Sequence, residues 1–159
     1  MNRSGCFKYW LAAVLLGSAF FSQAQEEKYL CITGGAAIGM NGFGEIGLAK
    51  KIEGNDRHGS MSVVTYTVEF KPGPRTIIAP KIGAWVWSMS PLTMGVNLAY
   101  YTDFNKGTLM LRPEGGIGWY FGKLVYGYNA PLTNKDFPGV NRHQVSVSFL
   151  LVLKEIKKK

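Results

Sequence analysis

From Met61 to Leu153 the chain alternates apolar with small or polar residues, in run after run. The segment 91–100 is the cleanest: Leu92, Met94, Val96, Leu98 and Tyr100 fall on one face, and Thr93, Gly95, Asn97 and Ala99 on the other. A period of two marks a β-strand, because successive side chains leave the backbone on opposite sides. Clusters of Gly, Pro, Asn and Asp punctuate the runs. The pattern predicts eight strands, at 29–38, 43–52, 61–70, 75–87, 92–102, 108–120, 123–129 and 143–153. Lys71-Pro72-Gly73-Pro74 is a strong turn, since both prolines pre-set the backbone. The longest loop is 130–142, and a polar loop at 53–59 precedes the third strand. Pro80 and Pro113 lie inside predicted strands, where the missing donor predicts a local bulge.

Eight antiparallel strands make a small up-and-down barrel. An even count returns both ends of the chain to one side. A soluble barrel turns its apolar face inward, whereas a transmembrane barrel reverses this. The polar face decides between them. It is rich in small residues such as Thr33, Gly35, Thr65, Gly83, Gly116 and Ser148, where a water-facing surface would be dense in Lys and Glu. An eight-stranded interior has room only for side chains, so it requires mostly small ones. The apolar face, with Ile46, Leu48, Val68, Ile82, Leu98 and Val147, is free of charge away from the strand ends. A charge there would cost about 2–4 kcal/mol at a bilayer midplane. The expected fold is all-β, an eight-stranded antiparallel up-and-down transmembrane β-barrel.

Parity then assigns side chains. Glu45, Glu69, Lys81, Arg112, Glu114 and Lys123 point into the lumen, three acids against three bases. Buried charge must be paired, so Lys81 and Arg112 are expected to pair with Glu45 and Glu114 as a polar plug. A gated pore or a proton path is the competing use of the same residues. Phe70, Tyr100 and Tyr128 would form one aromatic girdle at the outer rim, with Trp119 and Phe121 at the periplasmic rim.

The N-terminus changes the compartment. Arg3 and Lys8 precede a continuous apolar stretch from Trp10 to Phe21, too short to span a bilayer. Ser22-Gln23-Ala24 then supplies the small residues of a cleavage site. Residues 1–24 are expected to be a signal peptide cleaved after Ala24, and residues 25–159 the barrel domain. Cleavage removes Cys6 and leaves Cys31, so no internal disulfide and no thiolate metal cluster is expected. The formal charge is +8, and Lys154, Lys157, Lys158 and Lys159 crowd the last six residues. Basicity is thus largely a property of the tail, and no basic patch interleaved with aromatics suggests nucleic acid.

Catalytic chemistry is thin. A hydrolase needs a nucleophile beside a base. The two histidines, His58 and His143, fall at opposite ends of the predicted barrel, and His143 differs in parity from Ser146. Asp56 and His58 alone are too few to ligate a metal. No cofactor is expected, since no helix follows the glycines to cradle a phosphate.

The stretch from Arg112-Pro113-Glu114-Gly115-Gly116-Ile117-Gly118-Trp119-Tyr120-Phe121-Gly122, through Leu124-Val125-Tyr126-Gly127-Tyr128-Asn129-Ala130-Pro131-Leu132, to Asn141-Arg142-His143-Gln144-Val145-Ser146, resembles the last hairpins of small outer-membrane β-barrel proteins of the OmpA/OmpX-like group. Such proteins often finish on an aromatic residue, whereas Phe149 is the last aromatic here. The resemblance implies a monomeric outer-membrane protein of a Gram-negative cell, in contact with membrane lipids and lipopolysaccharide. A structural, adhesive or protective role is the leading expectation. A secreted or periplasmic lipocalin-like barrel with an apolar ligand is the second, and a lipid-modifying barrel enzyme the third.

Overall fold

The computed structural model describes residues 26–54, 60–87 and 91–156. The expected signal peptide with its Ala24 cleavage site, Asp56, His58 and the tail lysines Lys157, Lys158 and Lys159 lie outside the described residues. The strands are β1 (Glu26–Ile38), β2 (Gly42–Gly54), β3 (Met61–Lys71), β4 (Ile77–Trp87), β5 (Leu92–Thr102), β6 (Gly107–Trp119), β7 (Gly122–Tyr128), β8 (Ala130–Pro131) and β9 (His143–Glu155). Every pairing is antiparallel. Chain neighbours pair from β1 to β7, while β9 pairs with both β1 and β7 and closes the sheet on itself. β8 follows β7 on the β6 ladder in unchanged register, so the two form one stave and the barrel has eight. Both Glu26 and Glu155 lie at one end, called here the terminal rim. The segment 132–142 lies at the other, the far rim.

The prolines act differently from the expectation. Val68 pairs with Pro80 and Val96 with Pro113 without a register shift. Each proline instead interrupts the ladder on its other side. The β4–β5 pairs skip Ala79 and Pro80, and the β6 pairs skip Arg112 and Pro113, which is where β7 gives way to β8. An antiparallel residue sends its N–H toward one neighbour only, so one missing donor breaks one ladder and spares the other. The register shift that does occur is on β9, where Leu30 pairs with Lys154 but Cys31 pairs with Val152, leaving Leu153 as the extra residue of a bulge.

The alternation resolves as the sequence pattern requires. Leu98 is 37% exposed and faces out, while its neighbour Asn97 is 3% exposed and faces in. Interior glycines make room for long partners: a Cβ on Gly83 would strike the amide of Asn97, and one on Gly95 would sit 2.7 Å from the Trp85 Cβ. The lumen is layered. Cys31, Ala49, Met61, Val63, Trp85 and Leu150 form an apolar cluster toward the terminal rim. Ala37, Phe43, Ile77, Ala99, Tyr101 and Met110 form another toward the far rim, joined by Phe137 from the long loop.

That loop is folded over the barrel mouth. Thr108 Oγ1 donates to the Asn134 carbonyl at 2.8 Å, and Asn141 Nδ2 donates to the Asn41 carbonyl at 2.7 Å while its Oδ1 accepts from the Asn41 N–H at 2.8 Å. Phe137 is 5% exposed, and the Arg75 guanidinium stands 5.5 Å from its ring centre. Phe137→Ala should lower the unfolding free energy by about 3–5 kcal/mol, read as an earlier urea midpoint. No change would mean that the loop does not seal the mouth.

The β5–β6 turn, 103–106, depends on Asp103. Its carboxylate accepts the N–H groups of Lys106 at 2.8 Å and Asn105 at 3.2 Å, and pairs with Arg75. The Lys106 hydrogen bond first, with Arg75 adding to it, holds the Asp103 carboxyl below its ordinary value. A depressed folded-state pKa stabilises the turn above the unfolded value of about 3.9 and loses that contribution as pH falls through the folded value. Amide exchange at Asn105 and Lys106 should therefore accelerate, relative to the β-ladder, on acidification through and below about pH 4. Asp103→Ala should show the fast exchange already at neutral pH.

Candidate functional site

The middle layer of the lumen is ionic. Glu45 on β2, Glu69 on β3, Lys81 on β4, Arg112 and Glu114 on β6, and Lys123 on β7 all turn inward. Strand pairing sets two carboxylates side by side, since Glu45 is directly opposite Glu69. Like charges in that position repel. Lys81 resolves the conflict by bridging both, at 2.7 Å to Glu45 and 2.8 Å to Glu69. Arg112 reaches across the lumen and pairs with Glu69. The Glu69 Oε2 also accepts the Tyr101 hydroxyl at 2.6 Å. Arg112 and Glu69 are each 1% exposed, so this is a fully desolvated, two-pronged ion pair.

A second cluster lies beside the first. Lys123 pairs with Glu114, and Asn97 Nδ2 donates to the same carboxylate at 2.8 Å. The Lys123 ammonium also stands 5.3 Å from the Trp85 ring centre. The expected partition of charges needs correction here. Lys81 does meet Glu45, but Arg112 takes Glu69 and Glu114 takes Lys123. Glu114 stands two residues from Arg112 on the same strand, while the long guanidinium stem spans the lumen to the crowded acids. Between the clusters is a cavity of about 10 Å³ lined by Thr33, Glu45, Thr65, Lys81, Asn97 and Lys123. That is room for about one water.

Sequence parity also contained a residue left out of the plug. Lys51 is on the inward face of β2 and buried, paired with Glu53 at 2.5 Å. Its ammonium lies 3.7 Å from the Tyr120 ring centre and 5.7 Å from that of Tyr29. Tyr120, in the turn between β6 and β7, donates its hydroxyl to Glu53, and that hydrogen bond pushes its pKa up to about 12. Phe137 had no such signal, because no periodicity governs a loop.

The predicted girdle residues separate to opposite rims. Phe70, Tyr100 and Tyr128 are outward and half exposed toward the far rim. Trp119 and Phe121 lie at the terminal hairpin with ring centres 6.0 Å apart, and Phe149 approaches Trp119 at 6.4 Å. His143 is exposed on the outer face, bonded to the Tyr126 hydroxyl, with the Tyr128 ring 5.0 Å away. Ser146 is buried in the lumen, so these two form no nucleophile–base pair. Among the described residues no three His, Cys, Asp or Glu side chains gather as metal ligands.

Compared with known proteins, the chain matches no family model, no curated protein and no solved structure.

Removing one partner of a desolvated ion pair strands the other. Arg112→Met should cost about 3–5 kcal/mol in urea unfolding. Adding Glu69→Met should recover part of that, because Lys81 keeps Glu45. A single variant as stable as the parent would show that the pair carries no structural weight.

Proposed function

We propose that this chain is an integral outer-membrane β-barrel of the small OmpA/OmpX-like kind, with a structural, adhesive or protective role and no transport through its lumen. One observation carries the reading: the barrel is inside-out. Large apolar side chains such as Ile46, Tyr66, Met94, Ile117 and Leu151 are exposed around its wall, while ionised groups line its axis. A soluble protein seldom exposes a continuous apolar belt, whereas acyl chains are the solvent that such a belt suits. Aromatics at both rims support the same placement. With the terminal rim in the periplasm, the capped far rim and its loop 132–142 face the cell exterior, beside lipopolysaccharide.

The filled lumen, capped at the far rim, supports a non-conducting role. An ionic layer lies between two apolar layers, and the cavity between its two ion-pair clusters holds about one water. The same filling disfavours a lipocalin-like carrier, which needs an interior pocket for its ligand. A lipid-modifying enzyme would need a catalytic pair on the outer wall, and His143 stands there with tyrosines for neighbours.

The mature protein should float with lipid vesicles and migrate faster on a detergent gel when unheated than when boiled. Recovery from the soluble periplasm without detergent, with no such mobility shift, would refute the membrane reading.

A further inference from the structure

The geometry points to a docking site for the headgroup of an anionic phospholipid on the outward face of β9, β1 and β2 at the terminal rim. The inference rests on the membrane reading above and specifies which lipid this rim meets.

The bulge at Leu153 builds the site. Along β9, Gln144, Ser146, Ser148 and Leu150 are buried and point inward. Continued alternation would send Lys154 inward as well, and Glu155 outward. The extra residue reverses both. Lys154 comes into register with Leu30, and Glu155 with Tyr29. Residues directly opposite in a ladder share a face. Leu30 is also in register with Lys50 on β2. The result is an outward row, Lys50–Leu30–Lys154, across three adjacent strands, with both lysines exposed. Lys28 lies on the same face of β1.

The inward face of the same three strands carries the opposite sign. Glu27, Glu53 and Glu155 share it by register with Tyr29 and Lys51. Two of these acids are engaged there, Glu53 by Lys51 at 2.5 Å and Glu27 by the Tyr29 hydroxyl at 2.5 Å. Without the bulge, Glu155 would face outward directly opposite Lys28 and offset the positive charge of that wall. Lys28, Lys50 and Lys154 thus face outward at this rim, while Glu27, Glu53 and Glu155 face inward with Lys51 among them.

The next outward row toward the barrel middle is Tyr66–Leu48–Ile32–Leu151, in register and exposed. A cationic row above an apolar row complements a phosphate headgroup above acyl chains. Lys50 and Lys154 stand two strands apart, about 10 Å, and lysine stems extend along apolar surface to place their ammonium groups at the headgroup level. The long-range attraction of an anionic leaflet then adds to the local contact.

The test uses the mature chain folded in detergent micelles, titrated with phosphatidylglycerol or phosphatidylcholine, with retained lipid counted by native mass spectrometry. The parent should retain phosphatidylglycerol in preference to phosphatidylcholine. K50Q/K154Q should lose that preference, by about fivefold for each lysine removed, while still floating with phosphatidylcholine vesicles. K50R/K154R should keep it. Equal retention of the two lipids by the parent, or a preference that survives in K50Q/K154Q, overturns the headgroup site and leaves the membrane reading intact. Parent protein that floats with neither type of vesicle overturns both.

Discussion

Six ionisable side chains share the middle layer of the lumen, and the cavity between their two clusters has room for about one water. That constraint governs the molecule. In water each charge would be solvated; here each must be neutralised by another side chain at hydrogen-bond distance. The three acids and three bases balance, but pairing alone is insufficient. Glu45 and Glu69 are placed directly opposite by strand register. Their proximity is tolerable because Lys81 lies within reach of both and Arg112 arrives from the far wall. Sheet register and charge pairing therefore depend on each other. A slip of one residue in any of these strands would turn its charge out onto the apolar wall.

The rest of the interior protects that layer. Apolar clusters lie above and below it, and Phe137 from the long loop completes the upper one. Small residues such as Gly83 and Gly95 leave the space that Asn97, Glu114 and Trp85 occupy. Closure of the sheet removes any strand edge along the barrel wall, which allows Pro80 and Pro113 to sit in mid-strand at the cost of one interrupted ladder each. The bulge at Leu153 re-aims the last residues of β9, and with them the charge of the terminal rim.

Much of this was legible in the sequence because a strand's side chains have only two directions. Alternation located all eight staves within a few residues and put Glu45, Glu69, Lys81, Arg112, Glu114 and Lys123 inside. What alternation lacks is the third dimension. It says that Arg112 faces in, but not that its stem crosses the lumen to Glu69 in preference to Glu114. Proline chemistry predicted a disturbance at residues 80 and 113 correctly in place and incorrectly in kind, since a missing donor on one side needs no extra residue. Neither the cap by Phe137 nor the bulge at Leu153 has a periodic signature. The one belongs to a loop, and the other is a single break in a run of apolar residues that reads the same in either register.

The central claim is that the apolar wall meets acyl chains and the charged axis is sealed from water. It is tested most directly with single spin labels at Leu98, Ile117 and Leu151 on protein reconstituted in vesicles, measuring collision with oxygen against collision with a water-soluble nickel complex. High oxygen and low nickel accessibility at all three sites is the predicted result. Nickel accessibility matching that of an exposed loop residue such as Phe104 would contradict the account.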